Sequence, residues 1–241
     1  MKLSIIIPAY NEEDRIVNTL KNTLAYLSAQ AYASEIIVVS DGSTDRTRQI
    51  SEKRFHPGKN VTVRVMEYHP NQGKGHAVRL GMLKGSGDLA LFMDADYSVP
   101  IQDVEKGIRL IEQGHDIAIA SRTLPGSVVA KHQNLFREIS AKTYTFIQNR
   151  YLGISYKDTQ CGFKIFTRNA AQRLFIKQKL TSVIFDPEIL WLAKLAGFKV
   201  AEFPVTWTHM EDSRIQYDSI GKSIFVFQEL FRIKKLHGGK A

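Results

Sequence analysis

Short apolar runs alternate with segments of helical period through the first half of this chain, and no other feature limits its fold as much. Strands are expected at 3–7, 35–39, 61–67, 89–93 and 116–120, and helices at 12–30, 44–53, 74–84 and 101–113. Such alternation with short links argues an α/β architecture: a mainly parallel, Rossmann-like sheet with helices on both faces. Ile5-Ile6-Ile7 and Ile36-Ile37-Val38-Val39 are uninterrupted apolar runs, as strands buried on both sides require.

Beyond residue 120 the rhythm breaks. A helical pattern spans 132–151 and an irregular segment 155–162 follows. Then come a strand at 163–166, helices at 169–177 and 187–196, a last strand at 199–207 and a terminal helix at 219–236. The expected organisation is one domain over 1–214, with an amphipathic C-terminal helix and tail over 215–241.

Charge and cysteine content narrow the setting. Cys161 is the only cysteine, so no intrachain disulfide forms and a reducing, cytoplasmic compartment fits. The segment before Pro8 is too short for a signal-peptide core, and no uncharged apolar stretch reaches the roughly 18 residues of a membrane span. Membrane contact is therefore expected to be peripheral, on the cytoplasmic face. The formal net charge is +9. Residues 122–153 carry five basic residues against one acidic, and 215–241 carry five against two. Both segments have amphipathic helical patterns, so their charge suits an anionic lipid surface or a phosphate-bearing acceptor better than a duplex groove. In 219–236, Ile220, Ile224, Phe227, Leu230 and Phe231 recur at helical spacing, flanked by Lys222, Arg232, Lys234 and Lys235. That face either docks on the core or lies on a membrane.

The chemistry-bearing residues fall where the expected strands end. Asp94-Ala95-Asp96 leaves strand 89–93 at the sheet's carboxyl edge, where open α/β sheets bind ligands. Two carboxylates there make either a solvated turn or a site for a hard cation, Mg²⁺ or Mn²⁺, bridged to a diphosphate. Pro8 is expected to stop the first strand, and Glu12, Glu13 and Asp14 fall in a first helical turn, where the dipole favours acids. Tyr10 is placed to pack on a nucleobase, with Glu12 accepting from ribose or base. In Ser40-Asp41-Gly42-Ser43-Thr44-Asp45, Gly42 permits a tight turn and Ser43 or Thr44 can cap the next helix. Asp41 is placed to accept the imide N–H of uracil or the N1–H and N2–H of guanine. Asn71-Gln72-Gly73-Lys74-Gly75 opens a helix with backbone N–H groups and a lysine, a combination suited to phosphate. Walker A spacing, a Gly-x-Gly-x-x-Gly fingerprint and His-Glu-x-x-His pairing are all missing from the sequence, which disfavours P-loop, dinucleotide and zinc chemistry.

In order and at familiar spacing, Ile5-to-Glu12, Val38-to-Asp45, Asn71-to-Gly75 and Met93-to-Asp96 resemble the family 2 glycosyltransferases, which have the GT-A fold. The resemblance implies a nucleotide pocket of Pro8, Ala9, Tyr10, Glu12, Asp41, Gly73, Lys74, Asp94 and Ala95, and a metal–diphosphate site at Asp94 and Asp96. Ser40 departs from the family's usual first Asp of Asp-Asp-Gly-Ser. Ser121-Arg122, Arg137-Glu138-Ile139-Ser140, Asp158-Thr159-Gln160-Cys161-Gly162-Phe163-Lys164, Phe185-Asp186-Pro187-Glu188 and the run from Trp207 to Arg214 look like the polyprenyl-phosphate branch, dolichyl-phosphate β-glucosyltransferases above all. Ser98 stands where mannose synthases of that branch have Gln.

This branch implies an inverting, metal-dependent hexosyltransferase that moves glucose from UDP-glucose to a dolichyl or polyprenyl phosphate. A lipid phosphate is already ionised at pH 7 and needs cations rather than a general base. Arg122 and Arg137, with Ser140 one turn later, suit that task. Arg214, from a late loop, would join the metal against the diphosphate, while Asp158 and Gln160 would orient the sugar. Asp94, Asp96, Arg122, Arg137 and Asp158 form the expected catalytic set, and Cys161 is read as a small buried residue. Three alternatives stay open. One is a GDP-mannose-dependent synthase. Another is a polysaccharide transferase with Asp158 or Asp186 as base. The third, a basic nucleic-acid-binding module, leaves Asp94-Ala95-Asp96 unexplained. The expected partners are a nucleotide sugar, a polyprenyl phosphate and a membrane surface, without nucleic acid; homo-oligomer formation stays open.

Overall fold

The computed structural model describes residues 2–53, 55, 58–129, 135–208 and 220–239, with the backbone alone at 135–139 and 220–223. In chain order the elements are β1 (Lys2–Ala9), α1 (Ile16–Ser28), β2 (Ala33–Asp41), α2 (Thr47–Lys53), β3 (Val61–Tyr68), α3 (Lys74–Lys84) and β4 (Leu89–Met93). A 3₁₀ turn, Ile101–Asp103, leads into α4 (Val104–Glu112). Then follow β5 (Ile117–Ser121), β6 (Val128–Val129), α5 (Leu135–Leu152), β7 (Phe163–Thr167), α6 (Arg168–Phe175), α7 (Phe185–Leu195), β8 (Val200–Pro204), β9 (Thr206–Trp207) and α8 (Ile220–Leu236).

Seven strands form one sheet in the order β3-β2-β1-β4-β7-β5-β8. All its pairings are parallel except those of β7, which runs antiparallel to both β4 and β5. The apolar runs explain themselves in this setting. Ile5 and Ile7 enter the core under α1 and α4, while Ile6, between them, enters the opposite core under α3, α6 and α7. All three are fully buried, because side chains alternate across a sheet covered on both faces.

The structure corrects several element boundaries. Pro8 does not end β1; it pairs in register with Val39. The β1–β4 pairing stops at Ile6↔Phe92, so Pro8 lies beyond the point where a second neighbour would need its missing N–H. α1 begins at Ile16 rather than 12, because the intervening backbone bonds sideways. Asn11 N–H donates to Ser43 Oγ (3.1 Å), Glu12 N–H to Thr47 Oγ1 (2.7 Å) and Glu13 N–H to Asp45 Oδ2 (3.1 Å). Thr44 N–H returns a bond to Asn11 Oδ1 (2.8 Å). The loops after β1 and β2 are thus stitched together, and Asp45, not Ser43 or Thr44, accepts from Thr47 N–H at the start of α2 (2.9 Å).

The expected last strand over 199–207 is two strands. β8 ends at Pro204, and Thr206 N–H turns to Asp103 Oδ2 (2.8 Å). β9 then pairs with β6, a strand the sequence reading lacked, in a separate two-stranded ribbon.

α8 docks on α7 through Val226, Leu230 and Ile233, all buried. Glu229 accepts from Ser182 Oγ (2.8 Å), and His237 Nε2 lies 2.6 Å from Glu188 Oε1. Tyr151 of α5 packs edge-on against Phe231, and its hydroxyl donates to the Phe231 carbonyl (3.1 Å). The docked face is therefore 226/230/233. Ile224, Phe225, Phe231 and Leu236 stay exposed, as does Phe146 on α5. Among the described residues, no helix is long and apolar enough to cross a membrane.

Candidate active site

β1 sits at the switch point of the sheet. β2 and β3 lie to one side of it and β4 to the other, so the carboxyl ends of β1 and β4 diverge and open a crevice. Tyr10 stands at one lip, 43% exposed, above the buried Ala9. Asp94, Ala95 and Asp96 form the other lip. Thr19 Oγ1 of α1 donates to the Ala95 carbonyl (2.6 Å), fixing that turn from below, and Ser98 N–H donates to Asp96 Oδ1 (2.9 Å).

Lys74 opens α3 and places Nζ 2.6 Å from Asp94 Oδ1. Burial works against its charge, but Asp94, Asp186 and Asp96 outweigh that and raise its pKa above the ordinary lysine value. Gly73, the helix N-cap, has φ of 97°, and a Cβ there would lie 2.5 Å from the Thr181 carbonyl oxygen. Only glycine meets both demands. The pKa of Asp96 is raised, first by burial and next by the charge of Asp94. Two neighbouring carboxylates, with the charge of Asp96 disfavoured by burial and by Asp94, fit a hard divalent cation. Among the described residues, no cluster of three or more His, Cys, Asp or Glu would hold a metal alone. Asp94 and Asp96 would need further oxygens from a ligand such as a diphosphate.

Other expected residues have partners the sequence did not disclose. Asp41 accepts from Gln72 N–H (2.7 Å), Gly73 N–H (2.9 Å) and Asn71 Nδ2 (3.0 Å), so its carboxylate first anchors the phosphate-type loop. Glu12 is bound at both oxygens by Arg15, each at 2.6 Å. Ser40 bonds to Ser43 Oγ (3.0 Å) in the loop and to Glu67 Oε1 (3.1 Å) on β3.

Arg122 and Asp158 form a bidentate pair, Nε to Oδ2 at 2.7 Å and Nη2 to Oδ1 at 2.9 Å. Arg122 N–H and Gln160 N–H add bonds of 3.0 and 3.1 Å. A carboxylate offers about four lone-pair positions, and these four donors occupy them. Asp158 is therefore committed to Arg122 and its neighbours. Trp207 lies under the guanidinium, 5.4 Å from its centre. Gln160 Nε2 is buried without an acceptor among the described residues. Ser140 is exposed on α5. The backbone of Arg137 lies in α5, its side chain is not among those described, and Arg214 lies outside the described residues.

The sequence reading missed Lys164 as part of the site. It is 1% exposed, with Nζ 2.6 Å from Asp186 Oδ1 and 2.6 Å from the Cys161 carbonyl. A lysine inside the apolar strand Phe163–Thr167 was the available signal. Asp186, one of the two candidate bases, is thereby committed. Its pKa is raised by burial, against the lowering influence of Lys164. Burial also pushes the Cys161 thiol up to about 12, so it is no nucleophile.

Known proteins resemble this chain in sequence and in fold. The model of "Glycosyl transferase family 2" matches residues 4–175. A dolichyl-phosphate beta-glucosyltransferase of Drosophila melanogaster is 34% identical over 94% of this chain and 74% of its own. The Homo sapiens protein of that name is 33% identical over 89% of this chain and 69% of its own. Among solved structures, glucosyl-3-phosphoglycerate synthase from Mycobacterium tuberculosis, in complex with Mn²⁺ and uridine-diphosphate-glucose, superposes with a TM-score of 0.68. It has 17% identity and covers 96% of this chain and 78% of that one. At that identity the likeness shows the fold.

Proposed function

The chain belongs to glycosyl transferase family 2, and we propose that it moves glucose from UDP-glucose to a dolichyl or other polyprenyl phosphate, with inversion at the anomeric carbon. The family model and the relatives' names support the donor and acceptor class. The observation that carries this reading is the commitment of both candidate bases. Asp158 is saturated by Arg122 and its neighbours, and Asp186 is buried against Lys164. An alcohol acceptor needs its proton removed during attack; a phosphate oxygen does not.

On this reading Tyr10 packs on the base, while Asp41 fixes the loop whose Gly73 N-cap and Lys74 face the diphosphate. Asp94 and Asp96 would hold Mg²⁺ or Mn²⁺, which when bound offsets charge developing on the leaving diphosphate. Arg122, made rigid by Asp158 and Trp207, directs the lipid phosphate at the anomeric carbon, with Arg137 and Ser140 completing its site. Arg214 joins the diphosphate side. The buried Nε2 of Gln160, without an acceptor among the described residues, supports a sugar contact. Residues 1–214 form the transferase unit and 215–241 its helical extension.

A panel of UDP-, GDP- and TDP-sugars with a short polyprenyl phosphate, scored by product mass, tests the assignment. UDP-glucose is expected to give the lipid-linked hexose. Transfer from GDP-mannose alone would overturn the donor, and transfer only to a sugar hydroxyl would overturn the acceptor.

Peripheral membrane binding on the cytoplasmic face belongs to the same reading. Ile224, Phe225, Phe231 and Phe146 are exposed apolar side chains on α8 and α5, beside Arg232, Lys234 and Lys235. Flotation with anionic liposomes should show binding that falls with salt, because the basic contribution is screened. Lys234→Glu with Lys235→Glu should weaken it roughly tenfold or more, at about 1 kcal/mol per basic residue. Wild-type protein that never floats would remove the membrane from the reading.

A further inference from the structure

A charged lysine inside an apolar strand has an energetic cost that a well-packed apolar pair of the same volume would avoid. Lys164 nevertheless sits there, under the Phe92 ring at 5.3 Å, and its two bonds have one structural result. They tie the Cys161 carbonyl to Asp186 of α7. The next residue, Gly162, touches Asp94 twice. Asp94 N–H donates to the Gly162 carbonyl (3.0 Å), and the Asp94 carboxylate lies against the bare Gly162 Cα. A Cβ there would fall inside 3.0 Å of Asp94 Oδ2, Cγ and Oδ1. The backbone of Gly162 has no positive φ, so contact with Asp94, not conformation, demands glycine. The charge of Asp186 also acts on Lys74, whose Nζ lies 2.6 Å from Asp94 Oδ1. Asp94 is thus held by two groups, Gly162 and Lys74, that are both linked to Asp186.

We propose that Gly162, Lys164 and Asp186 are positioning residues for Asp94. Gly162 supplies the flat surface on which its carboxylate rests, and the Lys164–Asp186 pair fixes the Cys161–Gly162 backbone that carries this surface. The inference rests on the reading of Asp94 as a ligand of the divalent cation. Groups behind a metal ligand typically change metal affinity by about 10–100-fold when removed.

Calorimetric titration of UDP into the protein, once with Mn²⁺ and once in EDTA, provides a readout independent of turnover. Wild type should bind UDP more tightly with Mn²⁺, and Asp94→Ala should lose that gain. Gly162→Ala should lose about 10–100-fold of the Mn²⁺-dependent affinity and keep its affinity in EDTA. Single removal of Lys164 or Asp186 leaves an orphan charge and endangers folding, so the pair is replaced together. Lys164→Met with Asp186→Leu should keep its thermal midpoint yet show the same selective loss. Wild-type Mn²⁺ dependence in Gly162→Ala or in the folded double variant would overturn the positioning role while leaving Asp94 as ligand. Equal affinity with Mn²⁺ and EDTA in the wild type would instead overturn the metal reading, and this inference with it.

Discussion

Asp96→Ala should abolish transfer, by at least about 100-fold, and Asp94→Ala should reduce it strongly, because a metal-held diphosphate contributes several kcal/mol at about 1.4 kcal/mol per decade. EDTA should reproduce the loss in the wild type, and Mg²⁺ or Mn²⁺ should restore the wild type alone. Stability should move the other way for Asp96→Asn. The pKa of Asp96 is raised by burial and by Asp94, so at pH 7 its charged form opposes folding of the metal-free protein. Neutralising it should raise the thermal midpoint in EDTA, and that gain should shrink on acidification, as Asp96 of the wild type takes up its proton. The Asn variant should also lose most of the midpoint increase that Mn²⁺ with UDP gives the wild type, since bound ligand stabilises in proportion to affinity. Product mass and thermal melts read both effects. Full transfer in EDTA would remove the metal from the mechanism.

How much of this was legible in the sequence depends on how local each determinant is. The buried strands were legible because Ile5-Ile6-Ile7 and Ile36-Ile37-Val38-Val39 state their burial on two faces directly. β4 and α3 match their expected bounds; β4 runs straight into Asp94, and α3 opens at Gly73, whose positive φ marks the turn. The elements misjudged were those bounded by partners distant in the chain. The start of α1 depends on Ser43, Asp45 and Thr47, about thirty residues away, and β9 depends on β6, which alone is too short to carry a pattern. The switch-point location of Tyr10 and Asp94 followed from strand-end motifs. The pairings did not. Nothing local shows that Asp158 closes on Arg122 or that Asp186 closes on Lys164; Glu12 and Arg15, three residues apart, are the local exception. Asp158 and Asp186 both read as reactive from their motifs, and each acquires its partner only when the fold brings residues 36 and 22 positions apart together.

Arg122→Ala should destabilise the protein by about 3 kcal/mol or more at pH 7, because it strands the buried Asp158 carboxylate that it now pairs. The pH dependence identifies the cause. In the wild type, burial alone would raise the Asp158 pKa, but Arg122 and its bonds outweigh that and hold it below the usual value of 3.8. The pair's contribution is therefore complete above that unfolded-state value and is lost only in strong acid, as pH falls through the depressed folded-state pKa. Without the Arg122 side chain the largest lowering influence is gone and the Asp158 pKa rises. The deficit should then be largest at neutral pH and shrink on acidification, as Asp158 protonates. Arg122→Ala combined with Asp158→Asn should recover most of the thermal midpoint at pH 7. It should not recover transfer, because the guanidinium that we propose meets the lipid phosphate is still missing. Its defect should appear as a raised KM for polyprenyl phosphate, with UDP affinity retained by calorimetry. If the double variant transfers at the wild-type rate, Arg122 serves the fold alone, and the acceptor phosphate must be met by Arg137 and Ser140.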